Sequence, residues 1–283
     1  MGLPYDAARM ETFETLRLAV EGIAPITRPE SKPYASSETI LPFFEVYFSN
    51  FIEGTEFEVE EASAIVFGGK IPKLRPQDAH DILGTYRIVA DRKLMSRTPK
   101  DPVAFSSLLR SFHAQIMAKR PTTMPGQFKK VANRAGATFF VSPELVEGTL
   151  QRGFEIARSI RTPFGRAVFM MFLISEIHPF LDGNGRTARI FMNMELVAAQ
   201  EQRIIIPTIY RNDYIGALKG MSHNKRAETL VRVLDFSQKY TGSIDWSEMQ
   251  GAHTQLDVTH AFYDPADAET RGLRLRVGDA RTG

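Results

Sequence analysis

The residues at 178–189 read HPFLDGNGRTAR, and they hold the densest chemistry in the chain. His178 offers proton transfer near neutral pH. Asp182 offers an oxygen ligand suited to a hard divalent cation. Gly183, Asn184 and Gly185 form a turn whose backbone N–H groups can converge on an anion, and Arg186 and Arg189 add fixed positive charge for phosphates. A histidine, a glycine-bounded turn or an arginine pair is commonplace alone. Their concentration within one short stretch points to a site for a nucleotide polyphosphate.

Two elements must position this loop. Thr162-Pro163 is a cap and first-turn pair that starts a helix, with Phe164, Ala167, Val168, Met171, Phe172 and Ile174 as apolar positions running straight into His178. A second helix, beginning around 185–186, carries Ile190, Phe191, Met194 and Val197 on its buried side. Its unpaired N-terminal N–H groups point at an incoming anion. Arg186 and Arg189 are three apart and so share a face, which Asn193 extends.

Elsewhere the pattern is helical. Expected helices cover residues 7–23, 42–53, 76–95, 101–119, 143–160, 212–220 and 226–240. A Pro-rich connection (Pro25, Pro29, Pro33) follows the first, and Gly54 is placed to end the second. Thr55 to Glu58 fits a capping box for a further helix that stops at Gly68-Gly69. Residues 128–141 read as a short hairpin around 133–136. The polar, Arg-rich tail from Asp267 is expected to be loosely held. The fold class is all-α, a compact helical bundle with one small β-hairpin. The organisation is read as an N-terminal helical region (1–75), a core (76–210) and a C-terminal extension with tail (211–283).

Bulk properties narrow the functions. The chain has 283 residues, 43% hydrophobic and 24% charged, enough for a sizeable core. A net charge of +2 gives no case for a nucleic-acid partner, and the absence of cysteine excludes disulfides and thiolate metal sites. The N-terminus lacks a secretory pattern, and the longest central apolar run, 167–174, is far short of the roughly 20 residues a bilayer needs. A soluble cytoplasmic protein with no membrane association is the expectation. Neither HExxH, GxxxxGK[ST] nor GxSxG occurs.

These residues resemble the signature of the Fic family, HxFx[DE]GNGRxxR, with every defined position matched: His178, Phe180, Asp182, Gly183, Asn184, Gly185, Arg186 and Arg189. The resemblance implies the Fic-type bundle, and an enzyme that moves AMP from ATP to a Ser, Thr or Tyr hydroxyl of a target protein or itself, releasing pyrophosphate. It implies ATP as co-substrate and Mg²⁺ held by Asp182, His178 as general base, and Phe180 as an apolar anchor of the loop. Asn184 and the loop amides would form an anion hole; Arg186 would hold the γ-phosphate and Arg189 the β-phosphate. Gly185 stands where the related Doc kinases carry lysine, which favours nucleotidyl over phosphoryl transfer.

Upstream, residues 49–54 read SNFIEG and resemble the family's inhibitory motif, [ST]xxxE[GN]: Ser49, Glu53 and Gly54. The resemblance implies an N-terminal inhibitory helix whose Glu53 pairs with Arg186. The hairpin resembles the target-binding flap, with PGQFK at 125–129 where relatives have a PGxFR-like lead-in, so that Lys129 loses the guanidinium fork. Met171 stands where many relatives carry histidine, read as a packing difference. Relatives of this class self-associate, which makes a homo-oligomer an expectation. Removal of AMP from a target, or nucleotide-dependent regulation with little catalysis, are the alternative functions.

Overall fold

A computed structural model describes residues 2–30 and 37–277; Pro33 of the expected Pro-rich connection and the last six residues of the tail lie outside them. Among the described residues the chain forms thirteen α-helices and one two-stranded antiparallel sheet. In order these are α1 (Ala7–Gly22), α2 (Ser37–Ile52), α3 (Val59–Val66), α4 (Pro76–Val89), α5 (Arg92–Met95), α6 (Pro102–Ile116), β1 (Arg134–Ala135), β2 (Thr138–Phe139), α7 (Val146–Ser159), α8 (Pro163–Ile177), α9 (Asn184–Ala198), α10 (Arg211–Asn224), α11 (Ala227–Gly242), α12 (Met249–Val258) and α13 (Pro265–Thr270). The fold is the all-α bundle expected.

The bundle is built around α8, which is apolar on every side and buried along most of its length. It packs most extensively on α9, and also against α7 and α1. Thr162 caps it, its hydroxyl accepting from the Gly165 N–H at 3.2 Å, and Pro163 occupies the first turn. Phe13 of α1 meets Phe169 of α8 at a tilt and Phe172 edge-on, while Phe44 and Phe48 of α2 meet Phe262, and Phe44 also meets Trp246, near the C-terminus. Buried side chains from the N-terminal, central and C-terminal thirds thus join one core. No described helix is long and apolar enough to cross a membrane.

Several local expectations need correction. The single helix expected over 76–95 is two, because Asp91 turns its side chain to cap a new start and accepts from the Leu94 N–H at 2.9 Å. The capping box at Thr55 does not form: α3 starts after Glu58 without a side-chain cap. The Thr55 N–H instead bonds the Asn50 carbonyl and the Gly54 N–H the Phe51 carbonyl, closing α2 in a Schellman motif with Gly54 at φ 84°. α2 begins five residues before Pro42 and accommodates the proline within its length. The hairpin has strands of only two residues, because its lead-in bonds elsewhere: the Lys129 N–H goes to the Pro179 carbonyl at 2.8 Å. The tail from 267 to 277 is not loose. Asp264-Pro265 starts α13, and the Arg276 N–H bonds the Thr259 carbonyl at 3.2 Å.

Candidate active site

His178 ends α8 with φ 53° and ψ 59°, a left-handed cap whose N–H bonds the Ile174 carbonyl. Its Nδ1 lies 3.2 Å from the Ser175 carbonyl, which makes Nδ1 the protonated nitrogen and leaves Nε2 with its lone pair free. One ring face stacks on Phe140 of the flap, centroids 3.8 Å apart and planes 6° from parallel. Burial pushes the imidazole down to about 4, against the opposing pull of the Ser175 carbonyl. Neutral at pH 7, it is in the state a general base requires.

The loop that follows is locked by its own side chains. Phe180 is fully buried, as an anchor should be. Asn184 accepts from the Phe180 N–H at 2.9 Å and returns a bond to the Phe180 carbonyl at 2.9 Å. Its side chain is therefore engaged in holding the turn, and the backbone N–H groups at the start of α9 are the ones an anion could use. Gly183 sits at φ 75°. At Gly185 an added Cβ would lie 2.2 Å from Oε1 of Glu53, so only glycine lets that carboxylate rest on the helix start.

Asp182 is about half exposed, and its Oδ1 accepts from the Gly183 N–H at 2.6 Å. No group of three or more potential metal ligands occurs among the described residues. One carboxylate fits Mg²⁺, which usually keeps several waters and takes its remaining oxygens from phosphates.

The two arginines part company. Arg189 donates from Nη2 to Glu53 Oε1 at 2.7 Å and to the Ser49 carbonyl at 2.8 Å, and from Nε to the Ser49 hydroxyl at 2.9 Å. Arg186 instead donates to Asp81 of α4 at 2.6 Å and reaches Asp182 only at 3.9 Å. The expected pairing of Glu53 with Arg186 is therefore wrong; Glu53 binds Arg189. Three residues turn a helix by about 300°, so the side chains diverge by about 60°: Arg189 meets the end of α2, whereas Arg186 binds α4 and touches α2 only at Asn50 Oδ1, 3.4 Å away. Asn193 is not part of the site either: it exchanges bonds with the backbone of Ile204 at 2.8 and 3.0 Å. His178, Gly185, Arg189 and Glu53 line one cavity of about 250 Å³, with Phe140 and Tyr214 among the apolar wall.

Three further buried polar groups brace the loop and the flap. Asp81, with no exposure, also binds Arg120 at 2.7 Å; its sign in the sequence is a carboxylate on the same stripe as Ile82, Thr85 and Ile88. Lys129 is 2% exposed and donates to Asn133 Oδ1 at 2.6 Å and to the Ile177 carbonyl at 3.3 Å, tying the flap to the end of α8. Burial pushes its ammonium down to about 8. His113 of α6 lies under the loop, and nothing in its sequence neighbourhood marks it. Met171 accepts from the Tyr214 hydroxyl at 3.3 Å, consistent with a packing position.

Residues 105–196 match the model of the Fic/DOC family. The chain is 25% identical over 183 residues to the protein adenylyltransferase fic-1 of Caenorhabditis elegans, covering 62% of this chain and 36% of that protein. It is 26% identical over 223 residues to the protein adenylyltransferase Fic of Drosophila erecta, covering 76% and 43%. The chain thus spans less than half the length of either relative. In structure it is similar to Fic-1 of C. elegans, with TM-score 0.61 at 17% identity over 88% of this chain and 72% of that one. It is also similar to a Fic-domain-containing signaling protein of Bacteroides thetaiotaomicron, with TM-score 0.57 at 18% identity over 84% and 98%. Signature, bundle and matched segment agree: residues 105–196 match the Fic/DOC family, and the bundle around them is similar to solved Fic structures.

Proposed function

We propose that this chain is an autoinhibited protein adenylyltransferase, moving AMP from ATP to a Ser, Thr or Tyr hydroxyl of a target protein or of itself. The observation that carries the reading is the shared cavity of His178, Arg189 and the start of α9, closed on one side by Glu53. Nε2 of His178 takes the proton from the acceptor hydroxyl, whose oxygen attacks the α-phosphorus of ATP; the bond to the β-phosphate bridging oxygen breaks and pyrophosphate leaves. Little covalent work falls to the protein, which positions, neutralises charge and accepts one proton. Asp182 would hold Mg²⁺, which supplies charge neutralisation to the phosphates. Arg189 and the N–H groups of α9 grip the phosphates, while Arg186, sealed against Asp81, fixes charge beneath the loop. The flap supports a target segment by backbone pairing.

Autoinhibition rests on Arg189. Its guanidinium is already satisfied by Glu53 and Ser49, so a phosphate must displace a carboxylate to reach it. Incubation with ATP and Mg²⁺ should leave an AMP adduct, read by mass spectrometry, that increases in Glu53→Gly and vanishes in His178→Ala. Equal adduct in Glu53→Gly and parent would remove the inhibitory role. The place of Glu53 on the same cavity wall as His178 also favours a second reading, in which it orients water to remove AMP from a modified target. Loss of that hydrolysis in Glu53→Gly is its test.

A further inference from the structure

His113 lies on α6, 65 residues before the signature histidine, and is fully buried. Three contacts converge on its ring. The imidazole stacks on Phe180, centroids 3.7 Å apart and planes 4° from parallel. Its Nδ1 accepts from the Gly126 N–H at 2.9 Å, so Nε2 carries the proton and donates to the Asp182 carbonyl at 2.9 Å. The residue that caps α6 continues the support, since Met117 Sδ lies 2.8 Å from where a Cβ on Gly183 would stand.

Each contact falls on a different part of the site. Phe180 is the loop's apolar anchor, Asp182 supplies the carboxylate, and Gly126 opens the lead-in to the flap. A neutral imidazole is the side chain whose flat ring can stack while donating at one edge and accepting at another. Phenylalanine would keep the stack and lose both bonds.

We infer that His113 is a positioning residue: it fixes the backbone at Asp182, and with it the aim of the cation-binding carboxylate, and couples that loop to the entry of the flap. The inference rests on the reading of Asp182 as the cation ligand.

The test compares the full chain carrying Glu53→Gly, with and without His113→Phe. In the nucleotide-free protein, amide hydrogen exchange at Gly126 should accelerate at least tenfold in His113→Phe while exchange within α8 stays unchanged. Calorimetry should show ATP affinity without Mg²⁺ within about twofold of the parent, and the gain in affinity on adding Mg²⁺ reduced about tenfold. Ile116→Val, buried on the same helix where it passes Gly84 of α4, should lower the melting temperature and leave both readouts in place. An unchanged Mg²⁺ gain in His113→Phe, or an equal loss in Ile116→Val, overturns the inference. Accelerated exchange at Gly126 in a protein that binds no ATP in any form would instead indict the reading of the site, with the support of the loop by His113 intact.

Discussion

Arg186 and Arg189 leave the same helix one turn apart, yet their surroundings divide the work of the site between them. Arg186 faces inward to Asp81, which has no exposure and is itself braced by Arg120. Arg189 faces a cavity, and its partner Glu53 is 24% exposed at the end of α2. Both guanidinium groups are paired with carboxylates, but only one pair can be opened by a ligand. A pair sealed from water is a fixture, since opening it strands charges in a dry interior. A pair at a cavity wall can exchange a carboxylate for a phosphate at small net cost. On the proposed reading, the same chemistry serves as a scaffold in one place and as a gate in the other.

Removing the carboxylate from each pair separates the two most sharply. Asp81→Ala leaves Arg186 without its main partner and should cost about 3–5 kcal/mol of stability, read as a fall in the urea midpoint. A loss under about 1 kcal/mol would mean that the Arg186 pair is as open as the other. Glu53→Gly should cost only about 1 kcal/mol, because its pair reaches solvent and the new glycine would stand just past the last residue of α2. Its effect should appear in rate, with self-labelling raised about tenfold, equivalent to about 1.4 kcal/mol of displaced pairing. Unchanged labelling alongside a large loss of stability would reverse the two roles.

The pH dependence sharpens the cavity side. Burial holds the His178 imidazole at about 4. Labelling by Glu53→Gly should therefore persist as pH falls through 6 and decline only near 4. A decline centred near 6.5 would place the ring in water. The same shift has a stability consequence of known sign: the unfolded chain binds this proton more tightly than the folded one. Stability from this group is complete above about pH 6.5 and falls, by up to about 3 kcal/mol, as pH drops from 6.5 to 4. His178→Phe should make that part of the stability profile shallower, leaving the share of His113, which burial also pushes down to about 4; an unaltered profile would show that other groups set it.

What was legible in the sequence follows from how local each signal is. The loop and its two helices were readable because Thr162-Pro163, the left-handed glycine and the amphipathic stripe act within a few residues of one another. α13 begins with the same Asp-Pro pair as α6, but a short helix in a polar tail carries too little periodicity to be marked by it. The partners of the arginines were not readable from spacing. Helical position says that Arg186 and Arg189 are near one another, and tertiary packing decides that Asp81 of α4 meets one and Glu53 at the end of α2 the other. His113 shows the same limit, a polar contact that exists only once α6 is laid against the loop.

Labelling with ATP carrying its radioactive phosphorus at either the α or the γ position tests the central claim most directly. Glu53→Gly should incorporate the α label into protein and none of the γ label, and adding His178→Ala should abolish incorporation. Incorporation of the γ label, or α labelling that survives without His178, would contradict the account.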